Sequence, residues 1–263
     1  MYRYHDPLRG YDDRYGGRAF DDPPVDRVTH LVFVDGRLVD TWREPATGTE
    51  WEAVALRHDR EARPPEPPPL APHEQVAQWL AGVCGGSAAV DGLTDEPLSD
   101  DRIDLPAEYP DRAGRERVEA AAELLDAVAE RCFDAETSYA FRHALLALWA
   151  DDPDVVGRAA SAAHVAGGIC WAVGKANGLF SPVGGMRVGV VQEALALRPP
   201  ASGYGGTVRT ALLGFRGRPV DRWGRPAGVP DLMPLGRCDL LLGVTRSRLL
   251  RIRDRARAAA AAA

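Results

Sequence analysis

Ala159-Ala160-Ser161-Ala162-Ala163-His164-Val165-Ala166-Gly167-Gly168-Ile169-Cys170-Trp171-Ala172-Val173 is the stretch whose reading decides the fold. It is apolar nearly all round, and a helix without a polar face is surrounded either by other helices or by lipid. The apolar run from Val155 to Val173 has the length of a membrane span, but Arg158 and His164 interrupt it and small residues dominate it. A buried central helix is therefore expected, and no membrane partner. Asp152-Pro153 offers an N-cap followed by proline at the first helical position, so the helix is expected to run from there to Phe180. Ala163, Gly167 and Gly168 would let neighbouring helices approach closely.

Outward from this helix the periodicity stays helical. Val118, Ala122, Leu125, Val128, Ala129 and Cys132 share one face of a helix from about Gly114 to Phe133, and Phe141, Leu145, Leu148 and Trp149 mark a second. Downstream, Met186–Leu197 reads as a helix stopped by Pro199-Pro200. Gly203, Gly205 and Gly206 read as a flexible turn, Thr207–Phe215 as a short helix, and Gly217–Pro234 as a long loop. A last helix starts at Thr245 and carries Leu249, Leu250, Ile252 and Ala256 among arginines.

Upstream the pattern is different. Val28–Val34 and Arg37–Trp42 flank Asp35-Gly36, and Asp-Gly suits a type I′ hairpin turn, which needs positive φ at both central residues. A third strand is expected at Trp51–Leu56, a helix at His73–Cys84 closed by Gly85-Gly86, and a strand at Ala88–Leu93, with the proline-rich Arg63–Pro69 as an extended spacer. The expected fold is mainly α: a helical bundle domain with a small N-terminal α+β module. Its expected parts are a disordered tail over 1–24, the module over 25–98, an acidic proline-containing linker over 99–111 and the helical domain over 112–260.

Ile169 through Phe180, with Gly174, Asn177, Leu179 and Phe180, resembles the end of the buried helix in a bacterial helical domain family of unknown function. In that family an Ile-Gly-x-x-Asn-x-Leu-Phe-like phrase precedes a helix-turn-helix-like segment, and the architecture is similar to the cyclin-box half-repeats of transcription factor B proteins. The resemblance spans about Gly114 to Leu213. It implies a cyclin-box-like bundle and no specific activity. This chain departs from it at Leu197–Gly206, where two prolines and three glycines replace a turn of three or four residues.

Charge gives the functional expectation. The chain carries −6 overall, yet Arg187–Arg257 holds fourteen arginines against five acids, a local +9, leaving −15 on residues 1–186. Only one lysine, Lys175, accompanies 31 arginines. A basic end on an acidic chain points to an anionic partner or to the chain's own acids. The leading expectation is a non-enzymatic protein, nucleic-acid-associated or regulatory, with Arg198, Thr207, Arg209, Arg216 and Arg248 as candidate contacts. The alternative is a protein-interaction module whose basic end docks an acidic partner or the chain's own Asp95–Asp111. Lys175 and Asn177 have two readings, as phosphate or base contacts or as ordinary helix-end chemistry, and the second is favoured.

Catalytic signatures are absent: no G-x-S-x-G, G-x-x-x-x-G-K, G-x-G-x-x-G or H-E-x-x-H occurs. No catalytic residue, cofactor or metal is expected. Asp151-Asp152-x-Asp154 is explained by capping, His143 and His164 by helix packing, and the scattered Cys84, Cys132, Cys170 and Cys238 by reduced core thiols in a cytoplasmic protein. Asp221, Arg222, Trp223 and Arg225 suggest, as a minor enzyme reading, a loop holding an anionic small molecule; Trp223 is expected to anchor that loop on the helical core.

Overall fold

The structure, a computed structural model, describes residues 28–62, 68–99, 101, 103–180, 186–214 and 225–263. The chain divides into two compact units, residues 1–68 and 69–263.

In the first unit, β1 (Val28–Val34) and β2 (Arg37–Glu44) pair antiparallel across Asp35-Gly36, whose φ values of 51° and 78° are both positive, as a type I′ turn requires. A bulge beside Val32/Phe33 shifts the register, and His30 stacks on its cross-strand neighbour Trp42 with ring centroids 4.8 Å apart. The strand expected at Trp51–Leu56 is instead the start of a helix, α1 (Glu52–Ala62). Thr49 Oγ1 accepts the Trp51 amide at 3.2 Å, and the good helix formers Glu52, Ala53, Ala55, Leu56 and Arg57 follow, so local capping prevails over β-branched content.

The second unit is helical: α2 (Pro72–Cys84), α3 (Ser87–Asp91), α4 (Arg112–Cys132), α5 (Ala135–Asp151), α6 (Pro153–Arg158), α7 (Ala162–Ala176), α8 (Val188–Ala194), α9 (Ala201–Leu213) and α10 (Gly243–Ala261), with a 3-10 turn at Cys238–Leu240. The protein is thus mainly α with an N-terminal hairpin. α7 is the central helix and packs against α4, α5 and α9. Among the described residues no helix is long and apolar enough to cross a membrane.

Several expected boundaries move. The module expected over 25–98 ends near 68, because α2 packs on α10 and contributes Leu80, Val83 and Cys84 to the helical unit's core. The strand expected at Ala88–Leu93 is α3, a single turn held by Val90 N–H to Gly86 O, which buries Val90 and Leu93. The segment 99–111 does not join two domains, since both its flanks belong to the same unit. Next to it the Leu98 amide donates to Glu136 Oε1 at 2.8 Å, Tyr109 packs on Trp149, and Asp111 caps α4 through the Gly114 amide.

The long helix expected from Asp152 to Phe180 is two helices. Ala159 is extended (φ −61°, ψ 142°), and Ser161 then caps α7, its Oγ accepting the His164 amide and meeting His164 Nδ1 at 2.8 Å. Gly203, Gly205 and Gly206 do not form a turn; they lie inside α9. The reason is contact: a Cβ on Gly205 would stand 2.3 Å from the Trp171 ring, and one on Gly168 would stand 2.8 Å from Val208 Cγ2. Bare backbone on both helices brings α7 and α9 together.

Two glycines give opposite expectations. Gly203 lies in a helix with open space where its Cβ would be, so Gly203→Ala raises stability by about 0.5–1 kcal/mol. Gly85 has φ +98° and would place a Cβ 2.2 Å from the Gly236 carbonyl oxygen, so Gly85→Ala lowers stability by about 3 kcal/mol or more. Urea unfolding of the two variants checks both the signs and the order.

Candidate anion-binding site

The site is built from the end of α7 outward. Gly178 takes the left-handed conformation expected there (φ 68°), but Asn177 does not (φ −98°); its contribution comes from its side chain. The buried carboxamide donates through Nδ2 to Val173 O (3.0 Å) and Leu240 O (2.9 Å), and Oδ1 accepts the Leu242 amide (2.8 Å). Residues 240–242 are thereby fixed against α7, and α10 begins at the next residue. Glu136 Oε1 accepts the Gly243 amide at 2.7 Å, and the Met233 amide donates to Lys175 O at 3.1 Å.

Three segments held in this way surround a cavity of about 630 Å³. Lys175 comes from the last turn of α7, Arg209 from α9 and Arg248 from α10; Thr245, Phe180 and residues 230–234 complete much of the wall. Arg209 Nε leans on Pro234 O at 3.4 Å. The carboxylate in the lining, Asp231, is 3.0 Å from Arg225 Nη1. Among the described residues, none of Lys175, Arg209 and Arg248 has a carboxylate within ion-pair distance. Three unneutralised cations thus face one space.

Of the candidate contacts, Arg209 and Arg248 meet here. Thr207 does not: two positions along a helix is about 200° of rotation. It lines a different cavity of about 1030 Å³ with Asp151, Asp152, Arg158 and Thr210. Arg198 is exposed in the connection 195–200 between α8 and α9. Arg216 lies outside the described residues, as do Asp221, Arg222 and Trp223 with the expected loop anchor. Sequence reasoning set Lys175 aside as helix-end chemistry; its convergence with Arg209 and Arg248 is tertiary and has no local signal.

The arginines of α10 fall into two sets. Arg246, Arg253 and Arg257 lie on the face of α10 turned towards residues 90–96. Arg246 is buried and bonds Glu96 O beside Glu136, Arg253 donates to Val90 O at 3.2 Å, and Arg257 pairs with Asp91. Arg248, Arg251 and Arg255 are exposed, lie on one face at i, i+3 and i+7, and have no acid partner among the described residues. Arg237, also in the basic end, is held by Asp151 at 3.1 Å and Asp239 at 2.7 Å.

No protein-family model, curated protein or solved structure matches the chain. Among the described residues no group of His, Cys, Asp and Glu could hold a metal ion. All four cysteines are free; burial pushes Cys84 up to about 12 and also raises Cys170.

Asn177→Ala would strand the Leu240 carbonyl and the Leu242 amide in the interior, and the expected loss is about 3 kcal/mol of unfolding free energy, read by urea denaturation. A loss well under about 1 kcal/mol would contradict the role given to this side chain. The Cys84 thiol ionises more readily in the unfolded chain. Its contribution to stability is intact below its ordinary value of 9.0 and is lost as pH rises from there towards about 12. Thermal melts across that alkaline range should show a steeper decline for the native sequence than for Cys84→Ala.

Proposed function

We propose that the protein is a non-enzymatic, nucleic-acid-associated protein that holds the phosphate backbone along the outer face of α10. The observation that carries this reading is the row Arg248, Arg251 and Arg255, exposed and without an acid partner among the described residues. At about 1.5 Å per residue the row is about 10.5 Å long, about three of the roughly 3.4 Å axial steps between successive phosphates of one strand. Such contacts give affinity and register without reading bases. α8 and α9 are left out of the contact surface, because six residues separate them and Thr207 and Arg209 line different cavities. Four free thiols support a reducing compartment, and we place the protein in the cytoplasm.

A second reading, docking of an acidic protein partner, is supported by the inner face of the same helix, where Arg246 and Arg257 already lie against Glu136 and Asp91. The outer row offers the same guanidinium chemistry to carboxylates.

Binding of labelled duplex DNA, titrated with salt, separates the two. Contact with three phosphates gives a log–log salt slope on the order of −3, and Arg248→Gln, Arg251→Gln and Arg255→Gln together remove most of it. Failure to bind at low salt, or an affinity indifferent to salt, overturns the nucleic-acid reading.

A further inference from the structure

We infer that the cavity at the C-terminal end of α7 is a separate binding site for a dianionic phosphate monoester carried on an organic body, gripped by Lys175, Arg209 and Arg248. The inference does not depend on the nucleic-acid reading, although Arg248 belongs to both surfaces.

Charge sets the headgroup. Three cations from three different helices converge, while the carboxylate in the lining, Asp231, is matched by Arg225 at 3.0 Å. The residual charge is too large for a carboxylate and suits a phosphate monoester, which carries close to two negative charges and three acceptor oxygens. Arginine adds planar donor forks matched to phosphate, and lysine a point charge. The first-turn residues Val244 and Thr245 of α10 also line the cavity.

The walls set the body. Phe180, Leu232, Met233 and Pro230 give the cavity an apolar side, and its volume of about 630 Å³ far exceeds the needs of a bare phosphate ion. That size lies inside the range of about 300–1,000 Å³ typical of small-molecule pockets. The backbone behind the grip is prearranged. Lys175 leaves α7 beside the Asn177 clamp, its carbonyl anchors Met233, and Arg209 Nε bonds Pro234 O. Little backbone ordering is left for a ligand to impose.

Calorimetric titration of the full chain tests the site, with adenosine monophosphate, inorganic phosphate and adenosine as probes. Adenosine monophosphate is expected to bind one to one and at least about tenfold more tightly than either phosphate or adenosine, since head and body both contribute. Lys175→Met and Arg209→Met are each expected to weaken it about tenfold or more, while Arg251→Gln, on the outer row but outside the cavity lining, leaves it unchanged. Arg209→Lys, which keeps a charge but loses the fork, should fall between, and unchanged melting temperatures confirm that the variants fold. Should Arg209→Met melt early, Lys175→Met decides alone. Adenosine monophosphate binding no more tightly than adenosine, or equally well to wild type and Lys175→Met, overturns the proposal. A short oligonucleotide with and without a 5′-phosphate identifies the source. Preference for the phosphorylated strand over the free nucleotide assigns the site to strand ends, and the reverse assigns it to a free phosphate ester. Loss of duplex binding in the outer-row variants leaves this result untouched, because it is read on Lys175 and Arg209.

Discussion

Asn177 fills a gap between the end of α7 and a backbone segment more than sixty residues further on, and uses both its donors and its acceptor there. Leu240 and Leu242 are buried, so their carbonyl and amide have no water to turn to. Hydrogen bonds of this kind add only about 1 kcal/mol each when made, but cost about 1–3 kcal/mol per group when left unmade. That asymmetry makes the clamp decisive. With residues 240–242 fixed, the direction of α10 follows, Glu136 reaches the Gly243 amide, and Arg248 arrives opposite Lys175 and Arg209. A polar side chain in a largely apolar core here specifies where one helix stops and another starts.

The division of charge along the chain has two structural meanings. Part of the basic end is consumed internally: Arg237, Arg246 and Arg257 meet acids or carbonyls from helices and loops far back in the sequence. This use of arginine is structural, and Arg246, nine-tenths buried, shows how its long stem can be packed while its Nη2 is bonded. The other part, Arg248, Arg251 and Arg255, lies turned away on the same helix. One sequence run therefore serves two faces. A net charge computed for the segment cannot separate them, whereas helical phase can.

Much of the fold was legible because its signals were local. The Asp-Gly turn, the amphipathic α4 and α5, and the apolar α7 each followed from spacing and turn chemistry. Other elements are decided by a distant side chain. Gly205 looks like a turn residue until Trp171 is placed against it, and α2 looks like part of the hairpin module until α10 packs on it. The break at Ala159–Ser161 was a local signal overlooked, since Ser161 three residues before His164 is an ordinary N-cap. At the candidate site, charge counting found Arg209 and Arg248 but also Thr207, which lines another cavity. Lys175 needed the tertiary structure.

The packing of α10 on α2 has a consequence for how the chain reaches this structure. α10 lies far along the chain from α2 and the neighbouring α3, as in the hydrogen bond from Arg253 to Val90 O of α3 across 163 residues. Contacts of such high order form late, after the loop entropy between them has been lost to other contacts. During synthesis α4, α5 and α7 emerge and can associate while α2 still has its apolar side, with Leu80 and Val83, uncovered. Only the arrival of α10 closes it. A chain that lacks α10 therefore leaves the apolar side of α2 as an exposed seam, the kind of surface through which incompletely folded chains associate.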